Sequence, residues 1–290
     1  MSVAEPRTVS LAHRFPPHAF FLASAVFHYL GPSFAVLLFA QVDVLGVAWL
    51  RIASAAAIFS LWRRPWRLIA KADRRTRLLM VGLGATLAVM NCVFYLAIDR
   101  LPLATVASIE FVATIGVALF GLRGLRNLMA LIAAVAGVYM LIGFDWSTDW
   151  LGLGLAVANS ALFALYIILG HAISRSSVGS GGVDGLAAAM LIAFVVVMPI
   201  GFVEAWPALI SPTLLAAGIG VGVTSSVIPY ICDQLAMARL PRATFALLLA
   251  LLPATAAIVG AVVLRQIPNA AELSGIALVV LGVALHKAER

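Results

Sequence analysis

The chain has 290 residues, of which 63% are hydrophobic and 11% are charged. Soluble domains are about 45–50% apolar and about 25% charged, so this composition excludes a water-soluble globular fold and requires contact with lipid. The formal net charge of +7 comes from cations that cluster between the apolar segments.

Apolar segments of roughly 18–22 residues follow one another along the chain. Such segments suit helices that cross a hydrocarbon core of about 30 Å, and they lack the alternation of barrel strands. Most connections are short, which predicts a compact all-α bundle in the membrane, and only 63–76 and 174–183 have linker character. Ten spans are predicted, at residues 18–39, 44–62, 77–98, 103–121, 127–144, 151–173, 184–204, 213–234, 242–264 and 270–287.

Lys and Arg are distributed unequally between the two sides of this topology. With the N-terminal tail, residues 1–17, placed in the cytoplasm, all cations lie inside except Arg51, Arg100 and Arg265. Because inner loops carry the excess of Lys and Arg, both termini are expected on the cytoplasmic side of a bacterial inner membrane. The net charge then reflects topology and contact with anionic headgroups, and no nucleic-acid partner is expected.

A short sequence occurs twice. LAIDRLPLAT at 96–105 and LAMARLPRAT at 235–244 match at seven of ten positions. Each copy joins two spans, and five spans separate the copies, so the two copies lie on opposite sides of the membrane. The chain is therefore predicted to consist of two inverted units, 18–144 and 151–287, an arrangement that recurs in secondary transporters. Pro102 and Pro241 suit the first turn of a helix, and with Pro229 they are candidate hinges.

Spans five and ten carry few polar groups and are rich in Ala, Gly, Val and Leu. They are expected at the periphery, where they pack the two units together. Small residues allow helices to approach closely in a membrane. The glycines expected to do so are Gly137, Gly143, Gly275 and Gly282.

Three stretches resemble the EamA family of the drug/metabolite transporter superfamily. They are NCVFYLAIDRLPLATVASIEF at 91–111, IPYICDQLAMARLPRATFALLLALLPA at 228–254, and Arg51 in WLR. The resemblance covers all ten spans. It implies a basket of two inverted five-helix halves around a central cavity, and export of amino acids or other metabolites. The chain departs from many relatives where Leu252 precedes Pro253 and where Arg265 and Gln266 follow span nine, so a second-half carboxylate is missing.

Glu110 is the strongest candidate for a functional group inside the membrane. It lies about seven residues into span four, or about 10 Å deep at 1.5 Å per residue. A carboxylate at this depth is costly and is disposed to take up a proton, which makes Glu110 a candidate for proton coupling. The alternative is a hydrogen-bonded structural glutamate or a partner of Arg51. The repeat aligns Glu110 with Leu249, so the chemistry is expected mainly in one half.

Arg51 lies at a similar depth in span two. Its guanidinium has the geometry to hold a substrate carboxylate through two parallel hydrogen bonds. The structural alternatives are an outward-reaching side chain that meets Asp43 and an ion pair with Glu110.

Four other spans carry polar and aromatic side chains on one helical face, because their spacing brings them to the same side. With Glu110 and Arg51 they form a predicted substrate site for a small zwitterion or an amphipathic metabolite. Interhelical hydrogen bonding, or simple packing for the lone histidine, is the alternative. Asp233, on the face of span eight, is expected near the inner interface. The members are His28, Tyr29, Asn91, Tyr95, Asn159, Phe163, Tyr166, Ser226 and Tyr230.

Enzyme signatures are not apparent in the sequence. It has no Gly-rich phosphate loop, no HExxH motif and no Cys/His ligand cluster, so neither an enzyme nor a cofactor or metal site is predicted. The favoured hypothesis is a secondary-active exporter of amino acids or related small metabolites that works by alternating access. The alternatives are a carrier of cationic drugs or lipophilic metabolites with Glu110 as the cation site, and a membrane-embedded lipid enzyme or scaffold. The oligomeric state is open, and a monomer is consistent with the sequence.

Overall fold

The computed structural model describes residues 16–110, 125–142, 149–174, 182–237 and 252–285, and all regular structure in these ranges is helical. The helices are α1 (Pro17–Leu38), α2 (Val44–Arg63), α3 (Pro65–Lys71), α4 (Arg74–Ile98), α5 (103–110), α6 (Leu125–Ile142), α7 (Trp150–Ser174), α8 (Gly182–Gly201), α9 (Trp206–Leu209), α10 (Pro212–Gly222), α11 (Ile228–Met237), α12 (Leu252–Val263) and α13 (Ala270–Leu285). A π-helical turn, Val223–Val227, joins α10 to α11 without a break.

Six of the described helical segments are long and apolar enough to cross a membrane. They are α1, α2, α4, α7, α8 and the continuous segment Pro212–Asp233, and shorter apolar segments lie in α6, α12 and α13. The predicted spans agree with these helices to within three residues wherever both ends are described. The all-helical membrane class is confirmed. Predicted spans four and nine extend into 111–124 and 238–251, outside the described residues, so the count of ten stays a prediction.

The Arg-rich connection between α2 and α4 contains a helix where a linker was predicted. Arg64 ends α2 in the left-handed conformation (φ 50°), and Pro65 begins α3 directly after it. A proline suits this position because its φ angle is fixed near the helical value and its missing N–H has no partner in the first turn. On the same side, Arg63 lies 3.6 Å from the Asp184 carboxylate of α8.

Helices pair mainly across the two predicted units. In these pairs, α1 packs on α11 and α12, α2 on α8 and α10, α4 on α7 and α8, and α6 on α13. Each predicted span of one unit has a counterpart five spans away in the other unit, and the helix pairs follow this correspondence. The pair α1–α11 thus has the counterpart α7–α4, and the pair α2–α10 has the counterpart α8–α4. This is the pattern expected for two units related by an approximate two-fold axis, and the inversion of the units stays a prediction. The interface between the units therefore forms the centre of the molecule.

The pair α6 and α13 shows how closely the two units approach. A Cβ atom on Gly137 would lie 2.5 Å from the carbonyl oxygen of Gly275, and one on Gly275 would lie 2.6 Å from that of Gly137. No side chain larger than hydrogen fits at either position without movement of the backbone. Of the other two predicted glycines, Gly282 is buried and Gly143 lies outside the described residues.

Candidate functional site

The guanidinium of Arg51 is buried at the interface between the units. Its Nε donates a hydrogen bond to Ser226 Oγ at 2.9 Å, and its Nη2 donates one to the backbone carbonyl of Ser225 at 3.0 Å. The ring of Tyr95 lies 5.2 Å from the guanidinium carbon, which is a cation–π contact. Asp43 instead accepts from the Leu45 N–H at the start of α2. Arg51 is thus held by the turn that precedes α11, and its predicted ion pair with Glu110 stays a prediction.

Pro229 explains why the carbonyl of Ser225 is available to Arg51. In an α-helix that carbonyl accepts from the N–H four residues later, and a proline has none there. The backbone widens into the π turn just before this point, where the Ile228 N–H bonds to the Val223 carbonyl five residues back. π turns of this kind occur often at functional sites. Because Pro229 has no N–H, the Ser225 carbonyl can accept a hydrogen bond from Arg51. Pro229, a predicted hinge, therefore lies beside the predicted substrate site.

Two glycines bring neighbouring helices into direct contact with this turn. A Cβ atom on Gly31 of α1 would overlap the Ser225 backbone and side chain, and one on Gly222 would overlap Ser54 of α2. Ser54 Oγ itself donates to the carbonyls of Leu50 and Arg51 in its own helix, at 2.7 and 3.1 Å. The π turn is therefore held against α1 and α2, and its position is fixed relative to the guanidinium.

Glu110 is held by α7 in a comparable way. Asn159 Nδ2 donates to Glu110 Oε1 at 3.2 Å, and the neighbouring Ser160 Oγ lies within hydrogen-bonding distance of the carbonyls of Ile109 and Glu110, at 2.8 and 3.0 Å. Both side chains, Glu110 and Asn159, are buried. Glu110 and Arg51 are also close enough to interact electrostatically. A carboxylate and a guanidinium from the first unit are thus each held by hydrogen bonds from the second.

Tyrosine side chains complete the centre. The hydroxyls of Tyr29 and Tyr230 are fully buried, and neither forms a well-shaped hydrogen bond within the described part of the chain. The same is true of Asn159 Oδ1. Asn91 lies within hydrogen-bonding reach of the Tyr230 side chain, whose electrostatic neighbours include Arg51 and Glu110. Burying a polar atom without a partner costs about 1–3 kcal/mol, so these atoms mark a place where a polar ligand could be accommodated.

An aromatic row leads from this centre along α7 and α11. The Tyr230 ring lies 6.1 Å from that of Tyr166, which lies 5.8 Å from that of Phe163. On α1, the half-buried His28 contacts Tyr29 edge to face at 5.4 Å. His28 and Phe163 thus add aromatic contacts beside the centre, and Arg51 is an electrostatic neighbour of His28.

The remaining predicted residues have local roles. Asn91 donates to the Leu87 carbonyl of its own helix at 2.6 Å, and Tyr95 Oη lies 3.5 Å from Ser225 Oγ. Pro102 is exposed and directly precedes α5, and its carbonyl accepts from the Thr105 N–H at 3.0 Å. Pro241 lies outside the described residues, so its hinge role stays a prediction.

Sequence reasoning missed Ser225 and Ser160, which hold the two charged side chains. Ser225 carried a usable signal, since it stands four residues before Pro229, where a carbonyl loses its helical partner. For Ser160 the neighbouring Asn159 was the only hint, because a serine in an apolar helix most often bonds to its own backbone.

Apolar helices that pair across two units around a buried cation and carboxylate define a multi-pass membrane protein of the transporter class. Residues 150–286 match the family model described as the EamA-like transporter family. The threonine/homoserine exporter RhtA of Salmonella typhimurium strain LT2 is 35% identical over 239 residues, which cover 81% of this chain and 79% of that protein. RhtA of Escherichia coli strain K12 is 34% identical over the same share of both chains. The chain belongs to the EamA-like transporter family.

This membership confirms the resemblance, the transporter class and the prediction that the chain is not an enzyme. A solved structure described as "Crystal structure of protein" matches with a TM-score of 0.61 at 15% identity, over 92% of this chain and 96% of that one. At this identity the likeness concerns the fold alone, and it extends over nearly the whole length of both chains.

Proposed function

We propose that this protein is a secondary-active exporter of amino acids, or of closely related small metabolites, across the bacterial inner membrane. The observation that carries the proposal is the pairing of charges at the centre. Arg51 and Glu110, both from the first unit, are buried, are close enough to interact electrostatically, and are each hydrogen-bonded to the second unit. The relatives named threonine/homoserine exporters support amino acids as the substrate class.

An amino acid matches this centre in charge. Its carboxylate would bind Arg51, whose guanidinium has five N–H donors, of which described residues engage two. Its ammonium would bind Glu110. The buried hydroxyls of Tyr29 and Tyr230, together with Asn159 Oδ1, then supply polar contacts for the polar groups that remain. Opposite charges held at fixed separation favour a zwitterion over a simple cation or anion.

Transport would proceed by alternating access between two inverted five-helix units, 18–144 and 151–287, with both termini in the cytoplasm. The two-fold pattern of helix pairing supports this proposal, because inverted units can exchange inward-open and outward-open shapes. The hydrogen bonds that hold Arg51 and Glu110 cross between the units, so movement of one unit against the other changes the substrate site directly.

Reconstituted protein tests the proposal. Proteoliposomes loaded with radiolabelled threonine, homoserine or other amino acids should release label faster than liposomes without protein, and unlabelled substrate should compete. Arg51→Lys provides a matched variant that keeps the charge but loses the planar donor pair. Absence of flux for every amino acid tested, from protein that remains folded in detergent, would overturn the assignment.

A second candidate is a carrier of lipophilic cations. The aromatic row of Phe163, Tyr166 and Tyr230 leads to a centre that contains Glu110, and aromatic faces next to a carboxylate suit such cations. Arg51 argues against it, because a buried guanidinium repels a cation. Transport of tetraphenylphosphonium that persists in Arg51→Ala and is lost in Glu110→Gln would favour this candidate over the amino-acid exporter.

A further inference from the structure

A second buried polar contact lies on the inner side of the candidate substrate site. Ser24 of α1 donates a hydrogen bond to Asp233 Oδ1 of α11, so it too crosses between the units. Ser24 is buried, whereas Asp233 is half-buried. Ser24 lies seven residues into α1 from its cytoplasmic end, and Asp233 lies seven residues beyond Ser226. At 1.5 Å per residue, the contact is about 10 Å nearer the cytoplasm than the Ser226 contact with Arg51.

Asp233 has surroundings that suit an ammonium group. Among the residues that the structure describes, no Lys or Arg lies within salt-bridge distance of its carboxylate. Tyr166, Tyr230 and, on its own helix, Cys232 are its electrostatic neighbours. His28 lies one turn further along α1 from Ser24. A carboxylate with tyrosines as its electrostatic neighbours offers an ion-pair partner close to aromatic rings that suit a cation.

Ser24 can release Asp233 at little cost. Its hydroxyl has one proton, yet a second acceptor, the carbonyl of Pro229, lies 3.3 Å from the same oxygen. If a ligand takes the carboxylate, the hydroxyl turns to that carbonyl and stays hydrogen-bonded. Neither group is then left unsatisfied in the membrane, which removes the main penalty for breaking a buried contact.

The contact between Ser24 and Asp233 has no polar counterpart at the repeat-related positions of the chain. In the register that aligns Arg100 with Arg239, Asp233 corresponds to Phe94 and Ser24 corresponds to Phe163. Phe94 and Phe163 are buried in α4 and α7, which pack on each other as α11 and α1 do. The polar pair therefore exists only on the inner side, and its outer equivalents are apolar. A polar group present only on the cytoplasmic side suits substrate that arrives from the cytoplasm.

We propose that Asp233 is a loading site for the ammonium group of the substrate on the cytoplasmic side, and that the Ser24 hydroxyl occupies this site when substrate is absent. This inference rests on the proposed function. An incoming amino acid exchanges with Ser24 at Asp233 and then moves along the tyrosines to Glu110 and Arg51. The ligand class is a primary ammonium on a small amphipathic molecule, and no covalent step is involved.

Uptake of radiolabelled threonine into inside-out membrane vesicles tests this proposal, because these vesicles present the cytoplasmic face to the medium. Asp233→Asn should raise the apparent KM about tenfold with little change in Vmax, the size expected for loss of one charge-assisted contact. Ser24→Ala should lower KM, because nothing competes for the carboxylate. A purely structural contact predicts impairment by both variants, so a raised KM in Ser24→Ala would overturn the proposal.

The ammonium itself is tested with 3-hydroxybutyrate, which has the skeleton of threonine without the amine. Its inhibition constant against threonine uptake should be the same in Asp233→Asn and in the unaltered protein, and a parallel loss of affinity for both compounds would contradict an ammonium site.

Asp184→Asn alters another inner-side carboxylate. It is the matched control and should leave KM unchanged. Asp233→Glu keeps the charge if the amide variant does not fold. Uptake that neither Asp233→Asn nor Ser24→Ala alters overturns the loading site alone, whereas no uptake of any amino acid by the unaltered protein overturns the proposed function.

Discussion

Nε of Arg51 lies 2.9 Å from Oγ of Ser226, and these residues belong to different halves of the chain. Asn159 and Glu110 form a second side-chain hydrogen bond that joins the two halves. Since each charged group is held by the half it does not belong to, relative movement of the halves must break or replace these hydrogen bonds. In the proposed transport cycle, a substrate with both charges supplies the replacements.

Arg51→Ala should reduce transport at least tenfold, chiefly through KM. The variant removes the donor for a carboxylate and leaves the Ser225 carbonyl without its partner, at a cost of about 1–3 kcal/mol. The measurement is initial flux against substrate concentration in proteoliposomes. Arg100→Ala is the control, because Arg100 lies at the surface next to Asp149, 3.1 Å away. Equal effects of the two variants would show that Arg51 has no special role.

Pro229→Ala should slow transport several-fold without loss of thermal stability. Alanine restores an N–H that can reach the Ser225 carbonyl, so the π turn is free to close into an α-helix and Arg51 loses an acceptor. Flux and melting temperature in detergent are measured together. Pro199→Ala, in the last turn of α8, removes a helix proline away from this site and should leave flux unchanged. Unaltered flux in Pro229→Ala would contradict the role assigned to the turn.

Glu110→Gln should abolish the dependence of net export on a pH gradient. Substrate exchange at equal pH should continue with a raised KM, because the variant loses the charge that binds the ammonium in the proposed site. Glutamine keeps an oxygen that can accept from Asn159 but cannot bind and release a proton at neutral pH. The comparison is efflux with and without a pH gradient against exchange without one, and Glu204→Gln is the control. Full, pH-driven export by Glu110→Gln would exclude proton coupling through this residue.

Gly137→Ala should lower the melting temperature but leave the KM of the remaining folded protein unchanged. The added Cβ would lie 2.5 Å from the Gly275 carbonyl oxygen, and overpacking of this kind costs about 1–3 kcal/mol. Gly154→Ala is matched to it, because a Cβ there meets no described atom within 4 Å. If both variants melt alike, the contact between α6 and α13 does not limit stability.

The sequence predicted the positions of the membrane helices closely, because lipid imposes a length and an apolar composition that are visible residue by residue. It also predicted Arg51 and Glu110, since a charge inside an apolar span stands out. The hydrogen-bond partners of these two charged side chains were harder to predict. Whether Ser225 and Ser24 form hydrogen bonds within their own helix or with another helix depends on how closely the helices approach each other. A single sequence does not contain the distance between helices. Pro65 was a helix-start signal inside the Arg-rich connection, but the density of charge there favoured a linker.

Pairing of helices across the two units has a consequence for biogenesis. Because α1, α2 and α4 find their main partners in α7, α8, α10 and α11, the first unit leaves the ribosome before most of its contacts exist. Arg51 enters the lipid about 175 residues ahead of Ser225 and Ser226. Until the second unit arrives, that charge depends on the insertion machinery or on headgroup contact, so the two units are expected to mature as one cooperative assembly.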